Sequence, residues 1–182
     1  MRAREGVRAS GYDRVASDWY VEPAWTVNAL LDVESFTGKS WDPSCGGGNI
    51  PRVMQARGLY CVGSDIADRG FGTTDLSFFD AEWIVNNIVT NPPYGIIESY
   101  IERALRLTTH KVAILARLAF LEGIKRRAFF KSTPLARVWV SSRRISMPPG
   151  GTDIEAKGGA IAYAWFVWEH GHAGRPEVDW LP

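Results

Sequence analysis

The stretch Trp83-Ile84-Val85-Asn86-Asn87-Ile88-Val89-Thr90-Asn91-Pro92-Pro93-Tyr94 decides the architecture. Its first eight residues are rich in β-branched side chains and predict a strand. Two consecutive prolines then end the strand, stiffen the loop and remove two amide donors, while their carbonyls can still accept. Beyond them Ile96, Ile97, Tyr100, Ile101, Ala104 and Leu105 recur at helical spacing, which predicts a helix to about Leu107. Strand, rigid turn and helix follow one another without a gap.

The same order appears upstream. A short strand ending at Asp42 meets the turn Cys45-Gly46-Gly47-Gly48, and a helix follows from about Ile50 to Arg57, stopped by Gly58. Leu59 to Asp65 reads as a buried strand with an acid at its carboxyl end. Residues 69–81 predict a loop containing one short strand. An earlier helix starts near Pro23 and uses Trp25, Val27, Leu30 and Leu31 to about Glu34. Downstream, Val112 to Ala116 predicts a strand, Gly123 to Lys131 a basic helix, Ala136 to Val140 a strand and Ala160 to Trp168 a final strand. A turn-rich connection without helical pattern joins the last two, so they are expected to pair antiparallel.

Alternating strands and helices imply an α/β fold: a mostly parallel sheet flanked by helices, with a C-terminal antiparallel hairpin. One domain over 19–172 is expected, with a flexible arm at 1–18 and a tail at 173–182. In open sheets of this kind ligands bind outside the carboxyl ends of the strands. The glycine turn, Asp65 and Asn91 all fall at such ends.

Composition removes several classes of function. The chain has 182 residues, 46% hydrophobic and 23% charged, with a formal net charge of +1, so no global positive field attracts nucleic acid and any such attraction must be local. Cys45 and Cys61 show neither CxxC spacing nor a neighbouring histidine, and His110, His170 and His172 are scattered. No metal site or disulfide framework is expected. No apolar run reaches the length of a membrane span, and a cytoplasmic setting is expected. Eight Trp, eight Phe and six Tyr suit a well-filled core.

The glycine turn lets backbone approach a ligand closely and offers amides near a helix N-terminus. A dinucleotide fingerprint needs a third glycine three residues after Gly48, where this chain has Pro51, so a nicotinamide or flavin site fits poorly. Asp65 stands where an acid accepts hydrogen bonds from the two hydroxyls of a ribose. The tetrapeptide from Asn91 to Tyr94 offers acceptors for the hydrogens of an amine, through the Asn91 side-chain oxygen and the Pro92 carbonyl, and an aromatic ring that can stack on a planar base. The structural alternative is a rigid turn with Tyr94 packed in the core.

Three segments together, Asp42-Pro43-Ser44-Cys45-Gly46-Gly47-Gly48, Ser64-Asp65-Ile66 and Asn91-Pro92-Pro93-Tyr94, resemble the motif series of class I S-adenosylmethionine-dependent amino-methyltransferases acting on adenine in DNA. Trp19-Tyr20-Val21-Glu22-Pro23-Ala24-Trp25 is similar to the Tyr-Thr-Pro segment of that family. The likeness covers about residues 19–168 and is closest to small forms encoded by phages and prophages. It implies a Rossmann-like methyltransferase fold with S-adenosyl-L-methionine as cofactor. It further implies that Gly46 and Gly48 line the methionine moiety, that Asp42 reaches its amino group, and that Asp65 holds the ribose. Tyr20, Pro23, Pro43, Cys45, Ile66 and Asn91 complete the implied cofactor set. Asp75 is the implied partner of the cofactor's adenine amine, with Asp80 the competing choice. Asn91, Pro92, Pro93 and Tyr94 would form the catalytic loop. Glu22 departs from the pattern, standing where the family usually has Thr, and the chain lacks the long insert with which full-length enzymes read sequence.

Between residues 117 and 144, Arg117, Lys125, Arg126, Arg127, Lys131, Arg137, Arg143 and Arg144 face the single acid Glu122. That local excess suits phosphate contacts, with Arg117, Lys125, Arg126, Arg127, Arg143 and Arg144 the chosen set. Phe129 and Phe130 are read as core. Arg2, Arg4, Arg8 and Arg14 read as part of an untethered arm. The expected partner is DNA, reached by flipping the target base out of the duplex. RNA bases, protein glutamine, the N-4 amine of cytosine, and a catalytically inactive cofactor- and DNA-binding module stay open. A homodimer or separate specificity partner is a further expectation, raised by the missing insert.

Overall fold

A computed structural model describes residues 19–154 and 159–182. The expected arm at 1–18, with its four arginines, lies outside the described residues. The elements are α1 (Ala24–Val33), β1 (Ser40–Asp42), α2 (Asn49–Ala56), β2 (Cys61–Gly63), β3 (Val85–Thr90), α3 (Ile97–Arg106), β4 (Thr108–Arg117), α4 (Ile124–Ser132), β5 (Leu135–Val140), β6 (Tyr163–Glu169) and β7 (Glu177–Trp180).

The seven strands form one sheet in the order β2-β1-β3-β4-β6-β5-β7. Strands β2, β1, β3 and β4 run parallel. Strand β6 is inserted antiparallel between β4 and β5, so β5 points the same way as β4. The expected antiparallel hairpin is therefore present, built from β5 and β6.

Both faces of the central strands are apolar. Along β4, Val112, Ile114 and Ala116 enter one core cluster while Ala113 and Leu115 enter the other. Along β6, Phe166 and Trp168 face the first side, and Trp165 and Val167 the second. This two-residue alternation with apolar groups on both sides is what a sheet covered by helices on both faces requires. Helix α3 buries Ile97, Tyr100, Ile101 and Ala104, the i, i+3, i+4, i+7 pattern of a single stripe, against the first face. Helices α1 and α2 cover the second with Val27, Leu30, Ile50 and Met54. Phe129 is buried and Phe130 packs on the same cluster, so both serve the core.

Two expectations need correction. Residues 69–81 hold no strand: Thr73 makes only an isolated bridge to Ser64, and a 3-10 turn forms at Phe78–Asp80. The tail expected at 173–182 instead supplies β7, parallel to β5 with Arg137 opposite Glu177 and Val140 opposite Trp180. All four β7 residues are exposed, so no inward alternation marks them as a strand. Their place comes from backbone pairing, and from Leu181, which is buried just beyond.

At the sheet edge formed by the amino end of β4, Glu34 closes α1 and turns its carboxylate inward. It accepts from Lys111 Nζ at 2.7 Å, from Trp139 Nε1 at 2.9 Å, and from Arg137, which also pairs with Glu169. Burial pushes the Glu34 carboxyl up, but hydrogen bonds from Arg137, Lys111 and Trp139 outweigh it and leave the group below its ordinary value. Such a group contributes stability that is present above the ordinary carboxylate value and lost as pH falls through the lowered one. Glu34→Gln removes the charge and leaves two cations facing a neutral amide. It is expected to cost about 3 kcal/mol at neutral pH, with a smaller difference from wild type at pH 3, measured by urea unfolding at both values.

Candidate active site

The chain leaves β1 to form β2 on one side and returns to form β3 on the other, so the carboxyl ends of β1 and β3 meet at the point where strand order reverses. Neighbouring loops diverge there and leave a crevice. A cavity of about 440 Å³ occupies it, within the usual size of a small-molecule site.

The glycine turn is its floor. Gly46 and Gly48 both have positive φ, 52° and 83°. A Cβ on Gly46 would meet the Trp19 indole at 2.4 Å, and one on Gly48 the Phe71 ring at 2.2 Å, so both positions need glycine for space as well as for backbone conformation. The Gly46 amide donates to Asp65 Oδ2 at 2.9 Å, which pins the turn to the end of β2. Asp65 Oδ1 accepts from the Ala67 amide at 3.0 Å and from Arg69 Nε at 3.3 Å. A carboxylate offers about four lone-pair positions, so three protein donors leave capacity for a ligand hydroxyl. The Arg69 guanidinium lies over the Trp19 ring, 4.3 Å from its centroid, and closes that corner.

Asn91 lines the opposite wall. Its Nδ2 donates to Glu22 Oε2 at 3.0 Å and to the Tyr20 carbonyl at 3.2 Å. Its Oδ1 accepts from the Tyr94 hydroxyl at 2.8 Å. Glu22 is buried and also accepts from Asn49 Nδ2 at 3.3 Å. Ser44 and Tyr100 share a hydroxyl–hydroxyl hydrogen bond of 2.7 Å beside the turn.

Of the residues singled out from the sequence, Tyr20, Pro43, Cys45, Gly46, Asp65, Ile66, Asn91 and Pro93 line this cavity. Pro23 sits just behind it as the N-cap of α1, and Pro92 is buried in the loop. Asp42 is buried beneath the turn, where its Oδ1 accepts from the Ser44 amide at 3.2 Å. Gly48 lies under Phe71, outside the lining. Tyr94 is half-buried: its ring packs toward Tyr163 with Arg117 above it, and it does not line the cavity. Asp75 and Asp80 are both exposed and off the cavity wall. Asp75 is the one non-glycine residue with positive φ, 56°, among the described residues. The turn there swings its carboxylate outward and brings Leu76 in, whose amide donates to the Asp65 carbonyl at 3.2 Å.

The wall between those two acids is apolar: Leu76, Phe78 and Phe79, with Phe78 stacked on Tyr100 at 4.1 Å between centroids. The sequence reading missed this pair, and it also missed Trp19 and Asn49. Three aromatic or bulky groups within four residues of loop were the available signal, but core packing explains such a run equally well until the cavity is seen.

Electrostatics add a second character. Burial pushes Asp42 well above the usual carboxylate range, and nearby Glu22 and Asp65 add to the rise. Burial likewise raises Glu22, against hydrogen bonds from Asn91 and Asn49. Burial and the adjacent acids push the Cys45 thiol up to about 12, so it lines the cavity as a neutral group. The site thus combines acids that favour a cation, a carboxylate suited to hydroxyls, and an aromatic wall suited to a planar ring.

The basic residues separate into two sets. Arg117 ends β4, and Arg143 and Arg144 follow β5; since β3, β4 and β5 share one direction, all three lie at the edge that carries Asn91. Arg143 stacks over Trp25 at 4.5 Å. Lys125, Arg126 and Arg127 sit in the first turns of α4, and Arg126 pairs with Glu98 at 3.4 Å. Arg137 belongs to the buried Glu34 network and is withdrawn from any phosphate surface.

No protein-family model matches the chain, and no curated protein matches it. Solved structures do. A candidate RNA methyltransferase from Pyrococcus horikoshii is 13% identical at a TM-score of 0.57, over 80% of this chain and 81% of that one. A modification subunit of a candidate type I restriction enzyme from Vibrio vulnificus is 13% identical at 0.54, over 87% of this chain and 45% of the subunit. A magnesium protoporphyrin IX methyltransferase from Synechocystis, solved with S-adenosylmethionine bound, is 14% identical at 0.50, over 78% of each chain.

The fold is that of the Rossmann-like methyltransferases.

Among the described residues, the crevice between β1 and β3 is lined by residues from all three sequence motifs. A carboxyl whose native pKa is raised takes stability away as pH climbs from its ordinary value, near 4 for aspartate, toward the raised one, because the native state then holds more protons than the unfolded chain. Asp42→Asn is therefore expected to raise the melting temperature of the ligand-free protein at pH 8 and to change it little at pH 3.5. A thermal scan across that range checks this, and a loss that is large at pH 8 and fades toward pH 3.5 would show instead that Asp42 is stabilising in its ionised form.

Proposed function

We propose that this protein transfers a methyl group from S-adenosyl-L-methionine to the exocyclic amine of adenine in DNA. The observation that carries the reading is that Asn91, on its stiff two-proline loop, lines the same cavity as the glycine turn and Asp65. The residues fit the cofactor by chemistry as well as by space. Asp65 has lone-pair capacity for ribose hydroxyls, and Ile66 and the Phe78–Phe79 wall suit an adenine ring. The buried acids Glu22 and Asp42 suit a ligand that carries an ammonium and a sulfonium, and the backbone of Gly46 allows close approach. The bound cofactor supplies a methyl already activated on sulfur.

The protein's own part is then alignment and exclusion of water rather than strong base catalysis. The Asn91 oxygen and the Pro92 carbonyl accept the hydrogens of the target amine and turn its lone pair toward the methyl. A cofactor held there would supply the methyl and keep the bonding electrons on its sulfur, and the surplus amine proton would leave to water. An amine inside a duplex cannot reach this depth, so the base is extruded at a cost of a few kcal/mol. Tyr94, whose hydroxyl donates to Asn91 and whose ring lies under Arg117, would offer an extruded base a stacking surface beside the cavity. Arg117, Arg143 and Arg144, at the edge that carries Asn91, would make phosphate contacts, with Lys125, Arg126 and Arg127 on α4 as a second set.

Labelled methyl transfer to duplex DNA, single-stranded DNA, bulk RNA and a protein extract tests the proposal. DNA is expected to take label and digest to methylated adenine, and Asn91→Ala to lower transfer about 10²-fold or more while calorimetric cofactor binding persists. Label on RNA or protein alone would retain methyl transfer and remove DNA as the substrate. Cofactor binding without transfer to any acceptor would favour a binding module.

A further inference from the structure

Glu22 is an acid where the resemblance expects a threonine, and its carboxylate is the group nearest the inner end of the Asn91 amide. It is held there by its neighbours in the chain. Residues 19–21 form a short ribbon with 148–150: Tyr20 bridges Pro149, the Val21 amide donates to the Pro148 carbonyl at 3.0 Å, and the Gly150 amide to the Trp19 carbonyl at 3.0 Å. Pro23 then begins α1. Between these fixed points Glu22 has one course, inward, where Asn49 at the start of α2 donates to its Oε1 and also to its backbone carbonyl.

The consequence falls on Asn91. Its inner end meets three acceptors: Glu22 Oε2, the Tyr20 carbonyl and, at 3.6 Å, the Met147 sulfur. An amide has one donating end and one accepting end. Turned the other way, Asn91 would set its oxygen against two oxygens and lose both hydrogen bonds. The amide is therefore locked with nitrogen inward and oxygen outward, where Oδ1 takes the Tyr94 hydroxyl and keeps a second lone pair.

We propose that Glu22 is a positioning residue that orients the Asn91 amide for the incoming amine, and that its carboxylate is the reason position 91 carries an amide and not an acid. This rests on the methyl-transfer reading above. An aspartate at 91 has the shape of asparagine but no donor. It would bring two carboxylates to hydrogen-bond distance in a buried site, where both cannot stay ionised in place. Glutamine at 22 reverses the pair: its amide can donate to an acid at 91, so the two changes together restore one donor and one acceptor.

The test compares wild type, Glu22→Gln, Asn91→Asp and the double variant in three measurements: thermal unfolding without ligand, calorimetric affinity for S-adenosylmethionine, and single-turnover methyl transfer. Asn91→Asp alone is expected to lower both the melting temperature and the transfer rate. The double variant is expected to recover both, with a coupling of about tenfold or more in the rate at saturating cofactor, while Glu22→Gln alone, which removes an acid from the cofactor cavity, is expected to weaken cofactor affinity. Additive effects in unfolding and in rate would overturn the proposal. Coupling in unfolding without coupling in rate would reduce the contact to a structural one and overturn the positioning role. If wild type binds no cofactor or methylates nothing, the functional reading fails by itself, and the unfolding cycle alone decides whether Glu22 sets the charge tolerated at 91.

Discussion

Every residue of β4 from Lys111 to Ala116 is buried, whichever face its side chain takes, and the same holds for β6 from Tyr163 to Trp168. A strand with no wet side must be covered twice, so helices have to lie on both faces of the sheet. That constraint generates the rest. Crossovers β1–α2–β2 and β3–α3–β4 hold neighbouring strands parallel and gather their carboxyl ends on one edge, and the reversal of order at β1 opens a crevice there. The site is placed by how the core is closed, and its chemistry is added by the loops.

The two ends of the sheet treat buried acids in opposite ways. At the amino end of β4, Glu34 is met by Lys111 and Arg137, and pairing outweighs burial. At the carboxyl ends, Glu22 and Asp42 are held by amides, and among the described residues no cation is paired with either. Burial therefore dominates and both carboxyls are raised. A protein that fully pairs one buried acid and leaves two others to neutral donors spends stability at the second place, which is where a cationic ligand would return it. Asp65 is joined to Arg69 while it pins Gly46.

Much of the fold and part of the site were legible in the sequence. The glycine turn, Asp65 and the Asn91 loop could be read because each depends on local chemistry: left-handed backbone for glycine, a lost donor for proline, a strand end for an acid. Strand β7 could not, since Glu177 to Trp180 are all exposed and nothing in their order signals pairing with β5. Asp75 and Asp80 were reasonable by spacing. In the structure both are exposed, Asp75 with left-handed backbone and Asp80 in the 3-10 turn, while Leu76, Phe78 and Phe79 line the cavity. Arg137 had the composition of its basic neighbours, and only its pairing with Glu34, distant in the chain, withdrew it from the surface.

The sequence by itself determined most of the turns and most of the segments that become strands or helices, β7 and the 69–81 loop apart, because hydrophobic period and the backbone limits of glycine and proline act within a few residues. It also determined that an acid and an amide stand at strand ends. Tertiary structure decided the insertion of β6 between β4 and β5, the partner that each buried acid finds, and the face of the Asn91 amide that meets Glu22. Those outcomes turn on contacts between residues tens of positions apart, and a charge or an amide has no fixed role until its partner is in place.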